Sequence, residues 1–205
     1  MRVLLTNPEN DNITFYLRVW TDDILKKCKN VKNKYFRLKR EKVSRKNVEN
    51  MLKKRGVDLA LFCGHGESDK IYGRENEVIV DATNVGLLKG KNVYSFSCMS
   101  AKKLGKVATK YGAKSYIGYD EDFVMFSDDA ARKPFDDEIA TLFLKPAFAV
   151  TKALLKGKTS EEAVDTAKKE FDKSIARAIN SDIQSDADSF VNWLYWDRDH
   201  LVCRD

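Results

Sequence analysis

The chain has 205 residues, 43% of them hydrophobic and 33% charged, with a net charge of +6. That is enough apolar matter for a buried core, which excludes a disordered chain, and no apolar run is long enough to cross a bilayer, which excludes a membrane-spanning one. The four cysteines, at 28, 63, 98 and 203, have neither paired metal-ligand spacing nor the density of a disulfide scaffold, so reduced thiols in a reducing compartment are expected.

Arg2 to Leu5 reads as a first strand that leaves through Asn7-Pro8, and this break comes too early for a secretory leader, so a cytoplasmic location is expected. Ile13 to Lys29 carries Phe15, Tyr16, Val19, Trp20, Ile24 and Leu25 on one side of a helix. Lys34 to Leu38 is a candidate second strand. Ser44 then caps a helix through Val48, Met51 and Leu52 that stops at Gly56. Val57 to Cys63 is short and almost wholly apolar, as in a strand buried on both faces of a parallel sheet. Alternating strands and helices predict an α/β fold with one wound, mostly parallel sheet, taken as a single domain over 1–205.

Two strand ends carry the chemistry. Gly64-His65-Gly66 follows the apolar run, and the two glycines leave the imidazole and the Gly66 amide open to a ligand. The strand Val93 to Phe96 leads into Ser97-Cys98-Met99-Ser100, and Ser100 to Tyr111 reads as a helix ended by Gly112. Cys98 is thus expected at a helix N-terminus, where the dipole favours the thiolate. In open α/β sheets ligands gather outside the carboxyl ends of strands, so one histidine and one cysteine there point to a thiol nucleophile with its base. The chain has only two histidines. A metal centre at Cys63, His65 and Cys98 lacks a fourth ligand at useful spacing, and neither metal nor cofactor is expected.

These stretches, with Gly112-Ala113-Lys114-Ser115-Tyr116-Ile117-Gly118-Tyr119 after them, resemble the caspase-like cysteine peptidases, most of all the bacterial CHAT domains and the gingipains. Residues 57–122 carry the resemblance. It implies a caspase-like wound sheet with helices on both faces. It also implies a cysteine endopeptidase acting on polypeptides, with Cys98 as nucleophile and His65 as acid toward the leaving amine. The resemblance further implies the backbone amides of Gly66 and Cys98 as oxyanion donors. In separases and gingipains that take a basic side chain, an acid after the corresponding strand helps line the pocket; Asp120 is the best-matched position and Asp122 the second, implying cleavage after Arg or Lys. CHAT-like domains often occur joined to repeat or sensor domains, so the resemblance leaves any control of this chain to a separate regulatory protein or to its own loops.

The rest of the chain reads more plainly. Glu67 to Gly90 holds a small hairpin, Ile71-Tyr72-Gly73 and Glu77 to Asp81, beside the site. Pro134 to Leu155 forms one apolar helix, and Thr159-Ser160-Glu161-Glu162 is a capping box opening another. Asn180 to Ser189 is a polar linker, and Val191 to Cys203 alternates like a terminal strand or hairpin, with His200 in it as a structural residue rather than a competing base. Two alternatives remain beside the peptidase: a catalytically silent caspase-like interaction module, and a nucleic-acid-binding protein using the basic cluster at residues 26–55. Few aromatics or glycines interleave in that cluster for base stacking, which favours a merely solvated surface.

Overall fold

Successive residues of the central strands are apolar, so a sheet made of them must be covered on both faces. The computed structural model, which describes residues 1–28, 33–128, 131–180 and 187–205, folds in that way. Strands β1 (Arg2–Asn7), β2 (Lys34–Lys39), β3 (Leu59–Cys63), β7 (Asn92–Phe96) and β8 (Ser115–Tyr119) run parallel in the order β2-β1-β3-β7-β8. β9 (Leu201–Arg204) adds an antiparallel edge to β8. β4 (Gly66–Glu67), β5 (Lys70–Tyr72) and β6 (Val78–Val80) form a small antiparallel sheet between His65 and the next long strand, where the hairpin was expected.

Side chains alternate between the two faces, as the pleat requires. Val3, Leu5, Leu59, Leu61, Tyr94 and Phe96 pack with helices α1 (Asn12–Lys27), α4 (Glu138–Leu155), α5 (Ser160–Ile179) and α6 (Ala187–His200). Leu4, Ala60, Phe62 and Val93 face α2 (Arg45–Lys54), α3 (Leu104–Lys110) and the small sheet. Local signals set the helix starts. Asp11 caps α1 in a capping box with Thr14, Ser44 caps α2, and Thr159 caps α5 with Glu162.

Three expectations are corrected. The helix after Cys98 begins at Leu104 rather than Ser100: Met99 has φ 51°, a left-handed backbone that breaks any helix there. Cys98 therefore lies six residues before α3 and gains nothing from its dipole, which fades within one turn. The helix expected from Pro134 starts at Glu138, where buried Asp137 caps it by accepting from the Ala140 amide. The tail expected as a strand or hairpin is mostly α6. Phe190, Leu194 and Asp197 are its buried positions among the described side chains, with Leu201 buried next at the start of β9, a helical spacing hidden by the acid in the third of them. Of the expected polar linker, residues 181–186 lie outside the described residues and 187–189 belong to α6.

The strand order places the site. From β1 the chain passes through α1 to β2 on one side, then returns past β1 to β3 on the other, so the crossovers diverge between β1 and β3. Ligand crevices form at the carboxyl ends of such a pair. Asp11 follows β1 and His65 follows β3.

Candidate active site

A cleft of about 230 Å³ opens at these strand ends, lined by His65 and Cys98 together with Ile13, Leu17, Phe123 and Met125. His65 is held in the turn after β3 because its carbonyl accepts from the Tyr72 amide of the small sheet, 3.0 Å away. Gly66 then runs against the neighbouring loop: a Cβ there would lie 2.7 Å from the Ser97 Cβ and 3.0 Å from the Cys98 carbonyl oxygen. Only glycine lets the His65 and Cys98 loops touch in this way. The backbone turns sharply at Met99, just after Cys98, and the Cys98 amide meets no acceptor among the described residues.

Cys98 is half-buried, and its thiol donates to the Phe123 carbonyl at 3.9 Å. Burial pushes it up to about 11, with the Asp122 and Asp197 carboxyls adding to the push. The resting side chain is therefore a thiol, against the thiolate expected from a helix start. Iodoacetamide should alkylate Cys98 at a rate that climbs about tenfold per pH unit above neutrality, because only the thiolate reacts. The rise should level off only near the thiol's own value of about 11. A rate already flat at neutral pH, followed by mass spectrometry of the labelled peptide, would show a preformed thiolate instead.

Asp11 was not singled out from the sequence. Its Oδ2 lies 2.5 Å from His65 Nε2, while its Oδ1 accepts from the Thr14 amide at 2.9 Å. Burial works to raise the Asp11 carboxyl, but the Thr14 amide and His65 outweigh it and hold the group below its ordinary value. A carboxylate there fixes the proton on Nε2 and leaves Nδ1 with the lone pair. The available signal was the N-cap position just after a first strand that borders the switch point, a relation visible only once the strand order is known.

The two candidate pocket acids separate. Both Asp120 oxygens are taken, by His200 Nδ1 at 2.9 Å and by Arg204 at 3.0 Å, so it ties α6 and β9 to the end of β8 and does not line the cleft. Asp122 does not line the cleft either, but it is exposed next to the lining residue Phe123 and close enough to raise the Cys98 thiol, and its carbonyl accepts from the Trp196 indole at 2.9 Å. His200 lies with Asp120 and against the Trp196 ring rather than in the cleft. Behind the cleft wall, Asp197 is fully buried on α6 and accepts from the Val124 amide at 3.0 Å. Burial raises that carboxyl well above its usual range, partly offset by the Val124 amide, whose bond to it ties α6 to the 123–125 wall.

Much of the basic cluster is answered inside the chain. Arg37 and Lys39 pair with Asp22, Arg40 with Glu9, Arg45 with Asp81 and Glu49, and Lys53 with Glu49. That leaves fewer free cations for a phosphate backbone than the sequence offers. No described helix is long and apolar enough to cross a membrane.

No protein-family model matches the chain, and no curated protein does. Solved structures do. The RgpB pro- and mature-domain complex from Porphyromonas gingivalis aligns with a TM-score of 0.53 at 12% identity, over 84% of this chain and 44% of that one. The Arg-specific cysteine proteinase gingipain R aligns with a TM-score of 0.52 at 12% identity, over 84% and 43%. A secreted C11 cysteine protease from Bacteroides thetaiotaomicron aligns with a TM-score of 0.52 at 11% identity, over 83% and 62%. The chain thus spans less than half the length of the gingipain structures, and at such identities the likeness is one of fold: the wound, mostly parallel sheet flanked by helices that these cysteine proteases share.

Proposed function

We propose that the chain is a cysteine endopeptidase working through Cys98 and His65, with Asp11 orienting the imidazole. The observation that carries this reading is the convergence of the two side chains on one cleft, with a carboxylate on the far nitrogen of the histidine. Because Cys98 rests as a thiol, His65 Nδ1 takes its proton as sulfur attacks the scissile carbonyl carbon. The carbonyl oxygen becomes an oxyanion, for which the amides of Gly66 and Cys98 are the proposed donors. Collapse breaks the C–N bond, His65 returns the proton to the leaving amine, and a thioester remains on Cys98. Water, deprotonated by His65, attacks the thioester, and the acid departs as the thiol reforms. The Asp11 carboxylate stabilises the imidazolium that forms in both halves.

The proposed specificity is for Arg or Lys before the cut, and it now rests on Asp122. Apolar walls at Phe123, Val124 and Met125 suit the methylenes of a long basic side chain, whose charged head would reach the carboxylate beside Cys98. Arg is preferred because it can pair with both oxygens. Kinship with CHAT domains, a cytoplasmic setting and a separate regulatory partner are proposed on the sequence pattern alone.

A cleavage profile on a peptide library tests the reading. Asp122→Ala should lower kcat/KM on an Arg-terminated fluorogenic peptide at least about tenfold, a charge-assisted hydrogen bond's worth, while Asp120→Ala should act mainly on stability. A wild-type preference for apolar residues before the cut, undisturbed in Asp122→Ala, would remove the specificity and leave the Cys98 and His65 mechanism standing.

A further inference from the structure

We propose that a second cavity, between α1 and α4, binds an amphiphilic anion of the fatty-carboxylate class. The cavity measures about 460 Å³, twice the catalytic cleft and within the range of small-molecule sites. Its floor is apolar: Trp20 and Ile24 come from α1, and Phe148, Ala149 and Ala153 from α4. Phe135 leans over it with its ring 5.1 Å from that of Trp20, yet remains 46% exposed. An apolar hollow of this size exposes surface that an alkyl chain would remove from water.

Its rim has the opposite character. Five lysines border the cavity, at 27, 145, 152, 156 and 158, against two acids, Asp23 and Glu170. Lys27 pairs with Asp23 at 2.7 Å and Lys145 reaches Glu170 at 3.7 Å. Lys152 and Lys156 have no ion pair within 4 Å among the described residues. Lys152 lies in the last turn of α4 and Lys156 is its C-cap, where cations also answer the helix dipole; both are exposed and both border the cavity whose floor is apolar. Flexible lysine stems can lie along an alkyl chain while their ammonium groups meet one carboxylate, so floor and rim call for one molecule that is apolar at one end and anionic at the other. A neutral lipid would leave the lysines unanswered, and a bare anion would leave the hollow wet. The site is separate from Cys98 and His65 and stands whether or not the chain is a peptidase.

Calorimetric titration of the full chain with octanoate, decanoate and laurate tests it. One saturable site is expected, with affinity rising about threefold to fourfold per methylene, and with dodecanol weaker than laurate. Charge reversal at the surface, Lys152→Glu with Lys156→Glu, should weaken laurate at least about tenfold. Ala149→Trp, which fills the floor, should abolish the site, with circular dichroism confirming the fold. The proposal is overturned by an absence of saturable laurate binding, by a dodecyl trimethylammonium probe that binds as tightly, or by undiminished laurate affinity in the charge-reversed protein.

Discussion

Cys98→Ala is expected to lose peptide hydrolysis completely while melting within about 3 °C of the wild type. The nucleophile has no substitute: Ser95, Ser97 and Ser100 around it are buried, and Ser97, the one of the three that also borders the cleft, is only 2% exposed, whereas Cys98 is half-buried. Removing a half-buried sulfur whose bond to the Phe123 carbonyl is a weak 3.9 Å contact costs little stability. His65→Ala should fall nearly as far, by about 10² to 10⁴ in kcat, because a thiol whose pKa has been raised to about 11 has no other base to activate it and the leaving amine no other acid. Turnover of purified variants on the best library peptide, beside thermal melts, decides the matter. Near wild-type turnover in either one would refute the mechanism, and a melt lowered by ten degrees or more in Cys98→Ala would assign the thiol a packing role instead.

Asp11→Asn is expected to lower kcat on the order of 10²-fold or more, with KM changed little. The substitution separates two roles of one side chain. Asparagine caps a helix about as well as aspartate, so the bond from the Thr14 amide and the start of α1 should survive. What is lost is the negative charge on His65 Nε2, and with it the fixed tautomer and the support for imidazolium. Asp11→Ala should lose the same activity and about 1 kcal/mol of stability besides, seen as a lower melting midpoint. Full activity in Asp11→Asn would reduce Asp11 to a cap. A loss confined to KM would point to substrate binding rather than orientation of the base.

The outcome for each element follows the range of the interactions behind it. The parallel strands, the caps at Ser44 and Thr159, and the turn at His65 were legible because they rest on neighbours a few residues apart: continuous apolar runs, a hydroxyl three residues before an amide, two glycines around one histidine. The alternation of buried faces made the doubly covered sheet legible for the same reason. The tail looks like a strand in sequence because its helical face includes Asp197, a carboxyl that the Val124 amide and a buried site make tolerable, and neither is near it in sequence. The sequence shows a helix already from Ser100 because Leu104, Val107, Ala108 and Tyr111 share one face, while the left-handed turn at Met99 is imposed from outside: its amide is held by the Glu121 carbonyl, two residues past the end of β8.

The sequence by itself determined the α/β class and the expectation that a histidine and a cysteine end neighbouring strands, since periodicity and strand-end chemistry are local. Tertiary structure decided the rest of the site. Strand order brought Asp11, 54 residues away, onto His65. The packing of α6 and β9 turned Asp120 from a pocket candidate into the partner of His200 and Arg204, leaving Asp122 beside the thiol. Enclosure among Phe123, Asp122 and Asp197 made Cys98 a thiol rather than a thiolate, because desolvation and like charge depend on what the folded chain places around a group and not on the residues next to it.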